Sequence, residues 1–226
     1  NHDDLAALLS QRLDVETDVD QRVALHRAVA ELHRNFLSDR DTAKRHYQAI
    51  LEIDGHDVRA IAAVSDICWE QGAWAEAAEA LMARAKLERD PQLLRTLFFR
   101  LGLIYADRLV DIPMALKAFQ RALTYQPDDE NTLVRLADLA AQIGEWKLAL
   151  GACERLVKNE ADADKRVAHL HRVARIFREG FNDNKRAERA LNLALDSSPT
   201  NDIALDQLVQ FYKDARDLTS VRVHLN

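Results

Sequence analysis

The sequence predicts an all-α protein, built as a solenoid of tandem helix–turn–helix pairs. Three observations carry that expectation. Turn formers are scarce, with 6 Gly and 4 Pro in 226 residues, whereas sheets of short strands need them about every ten positions. Hydrophobic residues make up 48% of the chain, enough buried surface to offset chain entropy and argue against disorder. Finally, the sequence repeats itself with a period of 72 residues. Trp74 and Trp146 are that far apart, as are Gly72 and Gly144. Ala43, Ala115 and Ala187 recur at the same interval, as do Tyr47, Phe119 and Leu191, then Ile50, Ala122 and Ala194. Gly55, Pro127 and Pro199 form another such column, and His33, Tyr105 and Phe177 another. The register holds without a gap from about His2 to Leu225.

Each period contains two similar halves. Ala30, Ser65, Gly102, Ala137, Ala174 and Val209 occupy equivalent positions at alternating spacings of 35 and 37. Within a half, apolar residues fall at helical intervals: Leu97, Leu101, Ile104 and Tyr105, then Ala115, Phe119, Ala122 and Leu123. Between these runs lies a short polar turn, Asp107 to Pro113, with Pro113 suited to a helix start. The second run stops before Pro127, which cannot continue a helix. Every half is therefore expected to be two helices joined by a turn. Small residues at Gly102, Ala115 and Ala122 would let helices approach closely, with a ring at Tyr105 or Phe119 filling the space beside them.

Read in order, Leu101, Gly102, Tyr105, Ala115, Phe119, Ala122 and Pro127 resemble the signature of the tetratricopeptide repeat, a 34-residue unit. Two such units, one extra turn residue in the odd halves and three between even and odd halves account for the period. The third copy fits best. The second departs at Ser65, Cys68 and Leu81, and the fourth carries Ala140 and Cys153 in the aromatic columns. The resemblance implies a right-handed α-solenoid in which stacking neighbours bury each pair's apolar face. The expected layout is 1–19 as the second helix of a preceding repeat, then repeats at 20–56, 57–91, 92–128, 129–163 and 164–200, and a partial sixth at 201–226. The chain opens at Asn1 inside what reads as a repeat, so it is expected to be a piece of a longer protein with further repeats or domains.

No catalytic constellation is evident, and no enzyme activity, cofactor or metal is expected. The 8 His show no HExxH spacing, there is no CxxC, and the glycines are isolated rather than gathered in a phosphate-binding loop. His33 sits in the column of Tyr105 and Phe177 and reads as a packed residue. His169 and His171, two apart, face different ways on a helix. Cys68 and Cys153 occupy packing columns and read as structural thiols. Two cysteines require no oxidising compartment, and a cytoplasmic location is the weak default. A net charge of −6 argues against nucleic acid as partner, and no apolar run approaches the roughly 20 residues of a membrane span.

What remains is protein binding. In tetratricopeptide proteins the first helix of each pair lines the concave surface, and the resemblance carries its second, fifth, ninth, twelfth and thirteenth positions onto this chain. These include an apolar centre of Trp69, Phe99, Leu103, Ala106 and Val134, and an acidic rim with Asp66, Glu70 and Asp138. Arg27 and Arg34 lie toward one end, and His171, Arg175 and Arg178 toward the other. Such a surface suits a peptide or partner helix. The Lys, Arg and Asn clamp of chaperone-binding members is absent: its positions hold Arg27 and Glu31, Ala62 and Asp66, Phe99 and Leu103. The alternative is a structural spacer or a module that self-associates through open ends.

Overall fold

The computed structural model describes residues 2–199 and 202–214, and in the last helix the side chains of 205–213. Among these residues there are twelve helices and no strand. They form two compact units that meet in sequence between Asp111 and Ile112. Unit 1 holds α1 (His2–Val15), α2 (Val19–Asn35), α3 (Arg40–Ile53), α4 (Val58–Gln71), α5 (Trp74–Leu87) and α6 (Pro91–Asp107). Unit 2 holds α7 (Ile112–Tyr125), α8 (Glu130–Gln142), α9 (Trp146–Asn159), α10 (Ala163–Gly180), α11 (Asn184–Ser197) and α12 (Asp202–Asp214). The expected sixth repeat beyond Asp214, and with it the register to Leu225, lies outside the described residues.

The helix starts follow the period. Asp18, Asp57, Asp90, Asp129 and Asp162 each precede a helix, and each side chain accepts from a backbone amide of the first turn. Such caps satisfy donors that a helix otherwise leaves open, and each is worth about 1 kcal/mol. Two kinds of turn alternate between helices. At Gly72 and Gly144 the chain takes φ of 72° and 79°. The next residue's amide then reaches back to Cys68 or Ala140, at 2.9 and 2.8 Å. This closure needs the left-handed conformation that glycine adopts freely. At Ser38, Val110 and Asn182 φ is 55°, 54° and 50°. There the following aspartate amide donates to His33, Tyr105 or Phe177 at 3.0, 2.8 and 2.8 Å. The one-residue difference between odd and even halves is the difference between these two closures.

Within each unit, helices pack on their neighbours in chain order: α1 on α2 through α5 on α6, and α7 on α8 through α11 on α12. The columns found by periodicity are the packed ones. Ala43, Ala115 and Ala187, Tyr47, Phe119 and Leu191, and Ile50, Ala122 and Ala194 are all at most 5% exposed. Removing a ring such as Phe119 from water stabilises by about 1.5–3 kcal/mol. His33 is half-buried, its ring parallel to that of His46 and its Nδ1 3.3 Å from Asp39. Beside them His26 and His46 bring their Nδ1 atoms to 3.0 Å. Burial, with neighbouring His26 and His33 next, lowers the pKa of His46 to about 4.

Both cysteines are buried. Burial pushes the Cys153 thiol up to about 12 and raises Cys68 as well, away from the thiolate that nucleophilic chemistry requires. No helix among the described residues is long and apolar enough to cross a membrane.

Candidate interaction surfaces

In unit 1, Trp69 on α4 and Leu103 on α6 line a pocket of about 120 Å³ together with Trp74, Ile104, Asp107 and Arg108. The two indoles meet edge to face at 5.4 Å. Arg100 lies over Trp69 at 5.6 Å and Arg108 over Trp74 at 4.8 Å. Each guanidinium is attracted to the face of the ring beneath it, and both indoles are half-buried. Phe99, on the same helix as Leu103, is also half-buried. Ala106 departs from expectation: at 9% exposed it is packed away rather than presented.

The charged positions of unit 1 are tied into the fold. Arg27 pairs with Asp57 at 2.5 Å, and Asp57 also caps α4. Arg34 stands 3.8 Å from both Asp66 and Glu70, Arg100 is 3.7 Å from Asp66, and Arg40 reaches Glu70 at 2.6 Å. The result is a chain of alternating charges running from α2 to α6. Arg100 and Arg40 were missed in the sequence, because both lie outside the positions that the family pattern supplies.

Unit 2 carries the larger concavity. A hollow of about 600 Å³ is walled by Asp138, Ala141 and Gln142 from α8, Trp146 from α9, and Ala168, Arg172, Arg175 and Glu179 from α10. Arg172 and Arg175 approach Asp138 at 3.3 and 3.8 Å. Arg172 too escaped the sequence reading, though it lies one turn from Ala168 and faces the same way. A second hollow, about 170 Å³, brings His171, Arg172, Arg175 and Arg178 beside Leu191, Gln207 and Phe211. Burial lowers the pKa of His171, so near neutral pH its imidazole is uncharged and the arginines carry the positive charge here. Val134, on α8, is half-buried.

Trp146 owes its position to a glycine. An added Cβ at Gly180 would lie 2.3 Å from the indole Cδ2, so the ring rests on bare backbone. One period earlier, the equivalent pair is Trp74 under Arg108. The same column thus seats one indole against a guanidinium and the other against a helix end.

Comparison with known proteins bears on the fold. No protein-family profile matches the chain, and no curated protein sequence matches it. Solved structures do. YrrB, described as a tetratricopeptide-repeat protein with an unusual peptide-binding site, is 16% identical with a TM-score of 0.57, over 89% of this chain and 98% of its own. MamA from Desulfovibrio magneticus RS-1 is 22% identical with a TM-score of 0.54, over 74% of this chain and 90% of its own. The C-terminal part of a tetratricopeptide repeat-containing protein from Cytophaga hutchinsonii is 21% identical with a TM-score of 0.54, over 82% of this chain and 73% of its own. With recurrent caps, packed columns and paired helices already established, the fold of this chain is an all-α solenoid of the tetratricopeptide-repeat type.

Proposed function

We propose that the chain is a non-catalytic protein-interaction scaffold that takes an extended peptide or a partner helix on the first helices of its pairs. The hollow of α8 and α10 carries this reading. Six of its eight lining residues, Asp138, Ala141, Gln142, Ala168, Arg175 and Glu179, occupy positions that the resemblance to the tetratricopeptide pattern assigns to the concave surface. Its volume lies within the range of binding clefts. Small residues, Ala141 and Ala168, leave room for an incoming side chain. Arg172 and Arg175 stand ready for a carboxylate that replaces Asp138 as their partner, and arginine is a frequent hot-spot residue. In unit 1, the pocket of Trp69 and Leu103, with Phe99 on the same helix, offers a place for an apolar anchor. The likeness of fold to YrrB, itself described as having a peptide-binding site, supports the same reading.

The test is selection of displayed peptides on the whole chain, followed by affinity measurement on variants. Ala168→Glu fills the hollow from an exposed position and should weaken selected peptides by about tenfold or more, about 1.4 kcal/mol. Arg175→Ala should do the same, while circular dichroism and Tm stay near wild type. A Phe99→Ala, Leu103→Ala double variant tests the unit 1 face in parallel. Peptides that bind all three variants as well as wild type would refute the reading. A second reading, self-association, draws on α1, where Leu5, Leu8 and Val15 are exposed. Light scattering across concentration separates the two, because a monomer that binds peptide excludes self-association as the main role.

A further inference from the structure

The repeat supplies its own control, and against it one corner of unit 2 stands out. His169 occupies a column that holds Leu25 and Leu97 in the other two copies, both buried. His169 is itself only 4% exposed, and neither of its ring nitrogens has a hydrogen-bond partner. A buried polar group left unpaired is unfavourable and asks for a reason. Glu130 replaces the Val58 of the preceding copy. Glu160, by contrast, recurs as Glu16 and Glu88. In all three copies its Oε1 accepts from the amide two residues on, at 3.1, 2.9 and 2.9 Å. That glutamate is a turn residue everywhere. Only in this copy do an imidazole and a second carboxylate face its free oxygen.

The three come from separate segments. Glu130 opens α8, Glu160 follows α9 and His169 lies in the second turn of α10. One donor atom from each lies within 4.8 Å of the others. His169 Nε2 and Glu160 Oε2 are 3.9 Å apart, too long for a hydrogen bond. Two donors at that separation can share one ion between them, since ligand bonds to zinc are about 2.0–2.2 Å. The amide of Asp162 fixes Glu160 from behind, as outer contacts fix metal ligands. A hollow of about 200 Å³, lined by Asp128, Asn159 and Lys165 beside the two glutamates, opens the carboxylate side of the cluster. Lys165 stands 3.9 Å from Glu130 and Arg155 3.6 Å from Asp128, so an ion would displace Lys165 from Glu130.

We propose that Glu130, Glu160 and His169 bind a divalent transition-metal ion of the zinc class, with water completing its coordination. The imidazole favours Zn²⁺ or Co²⁺ over Mg²⁺ and Ca²⁺, which prefer oxygen donors throughout. The ion pairs the orphaned imidazole and ties the start of α8 to α10.

The experiment titrates Zn²⁺ and Co²⁺ into the whole chain by calorimetry and visible absorption. It includes His169→Leu, which restores the residue of the other copies, and Glu130→Gln at an exposed position. Wild type should take up one ion per chain that His169→Leu does not. Glu130→Gln should weaken that ion's binding by about tenfold or more, as loss of even an outer-shell contact can. In EDTA, His169→Leu should melt above wild type, because leucine leaves no unpaired nitrogen. Equal uptake by wild type and His169→Leu would place any bound ion elsewhere, for instance at His26 and His46, and overturn the proposal. So would no uptake at all. Should His169→Leu fail to fold, the imidazole resonances of wild type decide: Zn²⁺ must shift those of His169, and unmoved signals refute the site.

Discussion

Gly180→Ala offers a prediction whose sign depends on a single neighbour. The added Cβ would meet Trp146 Cδ2 at 2.3 Å, Cγ at 2.5 Å and Cε3 at 2.7 Å. Ordinary carbon contacts are about 3.5–4.0 Å, so the indole must retreat by about 1 Å. Overpacking of this kind costs roughly 1–3 kcal/mol. Against it, alanine is favoured over glycine in a helix by up to about 1 kcal/mol, and less at Gly180 because it is the last residue of α10. The expected net loss is about 1–2 kcal/mol. In a Trp146→Ala background the clash disappears and only the propensity remains, so the same substitution should stabilise by about 0.5 kcal/mol. Urea denaturation followed by circular dichroism on the four proteins of the cycle gives the coupling directly. A substitution that destabilises equally in both backgrounds, or stabilises in both, refutes the claim that Trp146 is seated by the absence of a side chain at position 180.

Three further outcomes are expected. Val110 holds φ of 54° and is 74% exposed, a conformation that strains a β-branched residue. Val110→Asn, matching Asn182 one period on, should stabilise by about 1 kcal/mol in thermal melts, and a lower Tm would count against the turn. Stability should fall on mild acidification. The pKa of His46 is lowered from 6.5 to about 4, so its neutral form is favoured by the fold. That contribution is complete above about pH 6.5 and is lost as pH falls toward 4, by roughly 1–3 kcal/mol. Burial lowers His26, His169 and His171 in the same direction. Denaturation midpoints should therefore drop between pH 7 and 5, less so in His46→Phe, and a flat profile would contradict the burial. Both cysteines should resist a thiol reagent at pH 8 until urea unfolds the chain, and prompt labelling would show that the helices open locally.

The repeated columns made the fold readable. Small and large apolar positions recur because each sits at the same contact between neighbouring helices, and periodicity records that contact directly. The aspartate caps recur for a similarly local reason. The surfaces were less legible. Trp69 and Leu103 line one pocket, but Trp74, which the sequence marks only as a residue recurring at the period, lines it too. Arg27, selected as a flank for a partner, instead braces the cap of α4. Arg172 was passed over because the family pattern names other positions, although its spacing from Ala168 would have placed it on the same face. The seat of Trp146 on Gly180 joins residues 34 apart, and no local pattern announces it. His169 is a different case: its signal lay in plain view as a histidine in a leucine column. It becomes meaningful only once Glu130 and Glu160 are brought beside it.

The binding claim is tested most directly by amide chemical-shift mapping with one selected peptide. Perturbations are expected to gather on Asp138, Ala141, Ala168, Arg172 and Arg175, on the facing sides of α8 and α10. Perturbations confined to α9 and α11, with α8 and α10 silent, would contradict it.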